Sequence, residues 1–288
     1  MGTAHFHLGA HTLPYRKEPL ERALQGIAGA GYTLVGLWTE HAGGPISPTE
    51  PTPAETAALR RTIERFGLTP VTMFARQGAM EWREALLADL DLCAALGLPL
   101  LQAAGPWPYR QFPDQRKPEM RWYGEVERFL AHLAAAAPEA ERRGVTIVLK
   151  PHAGATATGA DLVDLIGRVG APAVRACWDA GNVRYYEGLD SEDDLEHSGV
   201  APLIRSVCIK DHRGGRGQVD FPIPGEGDVD HPRLLRLLAA AGFDGPLLVE
   251  RIDRQPSAEA FDAALARAHA FLESVVAQVP GGDARARP

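Results

Sequence analysis

The chain has 288 residues, 45% of them apolar and 23% charged, with a formal net charge of −7. That supplies one large core, while no apolar run approaches the roughly 18 residues of a membrane-spanning helix. An acidic balance with no basic stripe argues against nucleic acid as the main partner.

The opening stretch, MGTAHFHLGAHTLPYRKE, has no basic segment followed by an apolar one, so no signal peptide is expected. Phe6 also spoils a myristoylation motif after Met1-Gly2. Cys93, Cys177 and Cys208 are odd in number and lie within apolar runs. That usage suits free thiols in a reducing cytoplasm.

Strand-like runs are expected at 5–9, 33–38, 70–74, 99–103, 146–150, 174–179, 206–210 and 247–250. Helical patterns alternate with them at 20–30, 53–66, 82–95, 125–143, 160–169, 232–241 and 257–278. Gly31, Gly67, Gly97, Gly144, Gly170 and Gly242 each stand between a helix and the next strand, where a left-handed residue ends the helix. Thr52 with Pro53 and Glu55 has capping-box spacing, Ser257 is a further cap, and Pro232 suits a first helical turn.

Eight βα units of roughly 36 residues predict a single-domain α/β fold, the (β/α)₈ TIM barrel, over residues 1–279. The rival, an open doubly wound sheet, would place GxGxxG after the first strand, where this chain reads Gly9-Ala10-His11-Thr12. Residues 280–288, rich in Gly and Arg, read as a disordered tail. Longer connections follow strands two, four, six and seven, at 39–52, 104–121, 180–196 and 211–230. All lie on the side where barrel enzymes build their pockets. Gly214 and Gly215 read as flexible turn residues, since no GK[ST] follows to make a phosphate loop.

Four strands end on chemistry: VTIVL before Lys150-Pro151-His152, VRACW before Asp179, IRSVCI before Lys210-Asp211-His212, and GPLLV before Glu250-Arg251. Asp179 and Glu250 can hold a divalent cation or exchange protons; the bland alternative is a pair of rim salt bridges. Lys150 either pairs with those carboxylates in place of a metal, or loses its charge to burial and serves as acid, base or amine nucleophile. His152 can ligate a metal, shuttle a proton or tie down a loop. Cys208 is a small hydrophobe or a soft ligand.

Lys210, Asp211 and Glu226 are candidates for holding substrate hydroxyls or phosphate, or for pairing with one another. Trp38, Glu40, Phe74, Arg76, Gln102, Trp107 and Tyr109 are candidate pocket walls, with aromatics able to stack on a sugar face. His7 and His11 fall near the same end of the barrel.

These strand endings resemble the xylose isomerase-like superfamily of sugar and sugar-phosphate isomerases and epimerases. The likeness is carried by CWDAGNVRYYEG, by VCIKDHRGG with FPIPGEGDVD, and by AAGFDGPLLVE. It implies a divalent ion, Mn or Mg, held by a Glu ending strand five, an Asp ending strand six, a His in strand seven and a Glu ending strand eight. The two Glu residues would also move the substrate proton. Asp179 and Glu250 match, whereas Lys150 stands at the Glu position, Cys208 at the His position, and Asn182 where a histidine often follows the Asp.

Replacing a carboxylate by an ammonium changes the local charge by two units and repels a dication. The metal either moves to Asp179, Glu250 and His152, or is replaced by Lys150. The expectation is a cytoplasmic enzyme of carbohydrate metabolism taking a small sugar-like ligand, without a nucleotide cofactor and as a homodimer. It would isomerise or epimerise a ketose, keto-polyol or sugar acid, with Glu250 as base, Lys150 and His152 assisting, and Asn182 on the substrate. A lyase or dehydratase, and a non-catalytic sugar-binding barrel, are the alternatives. An endonuclease is disfavoured by charge and by the lack of a histidine-rich metal cluster.

Overall fold

A computed structural model of the protein describes residues 4–76, 83–253 and 255–279; the expected tail at 280–288 lies outside the described residues. Eight strands close into a parallel barrel: β1 (His5–His11), β2 (Leu34–Leu37), β3 (Thr69–Phe74), β4 (Leu100–Ala103), β5 (Thr146–Leu149), β6 (Val174–Trp178), β7 (Ile204–Ile209) and β8 (Asp244–Val249). Each pairs with its sequence neighbours, and β8 closes on β1 with Leu8 opposite Leu247. The predicted strands are all present, shifted by a few residues at their ends.

The outer ring comprises α1 (Leu20–Gly29), α2 (Pro53–Glu64), α3 (Arg83–Leu96), α4 (Glu119–Arg143), α5 (Gly159–Val169), α6 (Ala180–Glu187), α7 (Ser191–His197), α8 (His231–Ala240) and α9 (Ala258–Val276). Their apolar faces bury Leu24, Ile27, Leu86, Leu133, Leu162, Leu235 and Leu272 against the strands. The six inter-element glycines all take positive φ; Gly144, at 67°, closes α4 in the left-handed region, where a Cβ would crowd the carbonyl. Thr52 and Glu55 form the expected capping box, Ser257 caps α9, and Pro232 lies in the first turn of α8.

The connections depart most from the sequence reading. Residues 180–196, expected as a loop, carry α6 and α7, each started by an aspartate: Asp179 accepts from Asn182 N at 2.9 Å, and Asp190 from Asp193 N at 2.9 Å. Both helices are short and weakly periodic, so their caps rather than their apolar faces reveal them. Residues 40–45 and 109–116 form two small antiparallel hairpins.

Candidate active site

Alternation along a strand places residues i and i+2 on the same side, so a side chain inside the barrel predicts the one above it at the mouth. Leu100, Val148, Cys177 and Cys208 form a small cluster of their own, set apart from the main core. Lys150, Asp179 and Lys210 each follow a member of that cluster by two residues, and Glu250 follows Leu248, the register partner of Cys208, in the same way.

The four meet. Lys150 Nζ donates to Glu250 Oε1 at 2.7 Å and Oε2 at 2.5 Å and lies 3.2 Å from Asp179 Oδ2. Lys210 Nζ donates to Glu250 Oε1 at 2.8 Å, Asp179 Oδ2 at 3.1 Å and Asn182 Oδ1 at 2.8 Å. Asn182 is fixed in turn by donating to Pro151 O at 2.7 Å. Two ammonium groups and two carboxylates thus balance in a buried square.

Lys210, read from the sequence as a substrate contact, is a full member of this square. Gly181, which the sequence reading passed over, makes room for it: a Cβ there would stand 2.9 Å from both Lys210 Cγ and Lys210 O. A glycine one residue into a capped helix was the available signal.

Burial alone would discharge Lys150, but Glu250 and Asp179 outweigh it and hold the ammonium well above its ordinary range. Burial likewise opposes ionisation of Glu250, yet Lys150 and Lys210 hold that carboxyl well below the carboxylate range. The discharged-amine reading of Lys150 is therefore corrected: the residue is a fixed cation. His152 is pushed down to about 3 by burial and by the two lysines, so its imidazole is neutral at pH 7. Its Nε2 pairs with Tyr186 Oη at 3.0 Å, and Trp107 packs on the ring at 5.2 Å.

A dication does not fit the Asp179–Glu250 pair, because the carboxylate oxygens that would bind it accept from two ammonium groups. The proposed trio of Asp179, Glu250 and His152 does not assemble as a ligand cluster among the described residues; His11, Cys208 and Glu250 do, with ligand atoms within 4.8 Å of one another. That trio suits Mn or Mg no better. Burial holds the Cys208 thiol protonated, it donates to Gln102 Oε1 at 3.4 Å, and hard cations prefer oxygen.

Two cavities open around the square. The larger, about 780 Å³, is walled by Asn182, Tyr185, Tyr186, Lys210, Phe221 and the loops that follow β1 and β8. The smaller, about 370 Å³, is walled by Trp38, Phe74, Arg76, Gln102, Ala103 and Ala104. Lys150, His152 and Glu250 border both.

Other candidates lie elsewhere. Glu40 is exposed on the first small hairpin. Tyr109 is buried, its hydroxyl accepting from Arg116 at 3.1 Å and Arg216 at 2.8 Å, which makes it a loop clasp and not a wall. Asp211 faces its own loop, accepting from the backbone N–H of His212, Gly225, Gly227 and Val229 at 2.8–3.1 Å. Glu226 is exposed and ion-paired with Arg267 of α9. His7 binds Asp244, the first residue of β8, and so lies at the opposite rim from Glu250. Arg76 lines the small cavity but is tied to buried Asp89, whose Oδ2 accepts from Arg76 N at 2.8 Å.

The model of the xylose isomerase-like TIM barrel family matches residues 24–274. The rhizopine catabolism protein MocC of Rhizobium meliloti is 27% identical over 257 residues, covering 81% of this chain and 74% of that protein. A xylose isomerase domain protein from Alicyclobacillus acidocaldarius superposes with a TM-score of 0.72 at 22% identity, over 95% of this chain and 99% of its own. D-psicose 3-epimerase from Clostridium cellulolyticum H10, solved with D-tagatose, gives 0.71 at 14% identity, over 94% and 99%. At such identities these two structures carry the fold alone.

Proposed function

Because the chain belongs to the xylose isomerase-like TIM barrel family, we propose that it is a sugar isomerase or epimerase acting on a ketose, keto-polyol or sugar acid, with paired lysines doing the work of a cation. The observation that carries this reading is the contact of both Lys150 Nζ and Lys210 Nζ with Glu250, at the mouth of the barrel and on the wall of a ligand-sized cavity. Proteins named as sugar 3-epimerases share this fold.

In the resting square Glu250 is a poor base, since both ammonium groups stabilise its charge. A substrate carbonyl oxygen entering beside Asn182 accepts from Lys150 and Lys210 and takes up part of their positive charge. Glu250 then regains basicity as the substrate arrives and removes the proton next to the carbonyl. The electron pair moves onto oxygen as an enediolate, which the fixed ammonium groups stabilise without reorganising. Neutral His152, tied to Tyr186, can donate a hydrogen bond to that oxygen, and the proton held by Glu250 returns to carbon, which restores the carboxylate. Asp179 holds both lysines in place and, with Glu250, keeps Lys150 charged. Three buried thiols support a cytoplasmic setting.

The test is hydrogen exchange of ketoses in heavy water, followed by NMR, alongside elemental analysis before and after chelation. Exchange that survives full metal removal is expected in the native protein. The Lys150→Glu variant, with a free carboxylate and one fewer cation, is expected to acquire a divalent ion. Native exchange abolished by chelator and restored by Mn²⁺ would sink the paired-lysine reading.

A further inference from the structure

The two cavities share their catalytic border but differ in chemistry. Lys210 and Asn182 wall only the larger, so a carbonyl oxygen held by both lysines must lie on that side. Lys150, His152 and Glu250 form the threshold, and beyond it the smaller cavity is floored by Gln102 and walled by Trp38 and Phe74, whose rings pack edge to face at 5.2 Å. Of the square itself, only Lys150 and Glu250 border it. The smaller cavity thus lies on the side of Lys150 and Glu250 away from Lys210 and Asn182.

Resting on the reading of the site above, we infer that the substrate has two units: a keto-sugar in the larger cavity, and a second sugar ring joined to it that crosses the threshold onto Trp38 and Phe74. The indole and phenyl groups offer apolar surface to the C–H face of a pyranose ring, while Arg76 and Gln102 border the same space with polar groups. Ala104 borders the same space, so a larger side chain there would occupy the ring position. The reacting carbon sits at the narrow point between the units, next to Glu250. Such a division gives remote binding energy that a single sugar cannot supply.

The experiment uses the full-length protein, with D-fructose as the one-unit probe and the keto-disaccharides lactulose and palatinose as two-unit probes, in isothermal titration calorimetry. At least one disaccharide is expected to bind tenfold or more tightly than D-fructose. Trp38→Ala should remove most of that advantage, and so should Ala104→Trp, which fills the smaller cavity without deleting a wall. Equal binding of all three sugars by the native protein overturns the inference, as does an advantage that both variants retain. Hydrogen exchange on the same samples separates this from the proposed reaction. Exchange on D-fructose with no disaccharide advantage defeats the two-unit inference alone. A disaccharide advantage with no exchange on any sugar defeats the reaction and leaves the two cavities as a binding site.

Discussion

One barrel carries two unlike halves. Strands β5 to β8 end on Lys150, Asp179, Lys210 and Glu250, which meet as a closed ionic square. Strands β1 to β4 bring His11, Trp38, Phe74 and Gln102 to the same mouth, all uncharged at neutral pH, with His11 pushed down to about 4 by burial. The positions are equivalent by topology, yet one half handles charge and the other offers shape. The two halves still touch: Lys150 Nζ lies over the Phe74 ring at 5.6 Å, and His11 feels the charges of Glu250, Lys150 and Lys210.

Removing one member of that square gives the largest effect. In Glu250→Gln, hydrogen exchange should fall by about 10²–10⁴-fold, the usual contribution of a positioned base. Two buried ammonium groups would also lose a counter-charge, for a stability loss of about 3–5 kcal/mol in urea unfolding. Retained turnover would show that the charged half is merely structural.

Acid should separate the halves next. His11 and His152, with folded values of about 4 and about 3 against 6.5, bind protons more readily in the unfolded chain. Their contribution to stability is therefore full above pH 6.5 and is lost as pH falls toward 4. His11 alone corresponds to a loss on the order of 3 kcal/mol. Glu250, whose value is lowered, adds its own loss as pH falls through the usual carboxylate range and on below it. Urea unfolding at pH 7, 5.5 and 4.5 measures this; a flat profile would contradict neutral buried imidazoles.

A smaller effect is expected behind the charged half. Asp211→Asn weakens acceptance from four backbone N–H groups and should loosen the 211–230 loop, costing about 1–3 kcal/mol. Proteolysis of that loop should accelerate, while exchange at saturating substrate changes little. Least of all, Glu40→Ala and Glu226→Ala should shift stability by no more than about 0.5 kcal/mol and leave exchange unaltered. A large loss from either would return it to the site.

Much of the molecule was written in the sequence because it depends on neighbours in the chain. Apolar runs at regular spacing, closing glycines and the Thr52–Glu55 cap specify eight βα units, since each is satisfied within about one turn or one strand. The end of a strand also marks which side of the barrel a residue reaches, so Lys150, Asp179 and Glu250 could be nominated together. Glu40, Tyr109, Asp211 and Glu226 carry the right chemistry on the right loops, but direction in a loop is set by contacts distant in sequence, and their side chains turn to other partners. The same limit hid the full part of Lys210, whose three partners lie 28 to 40 residues away. Local order came from the chain itself; the pairing of charges, and with it the state of Lys150 as a fixed cation, required the closed barrel, because only closure brings four separate strand ends within hydrogen-bonding distance.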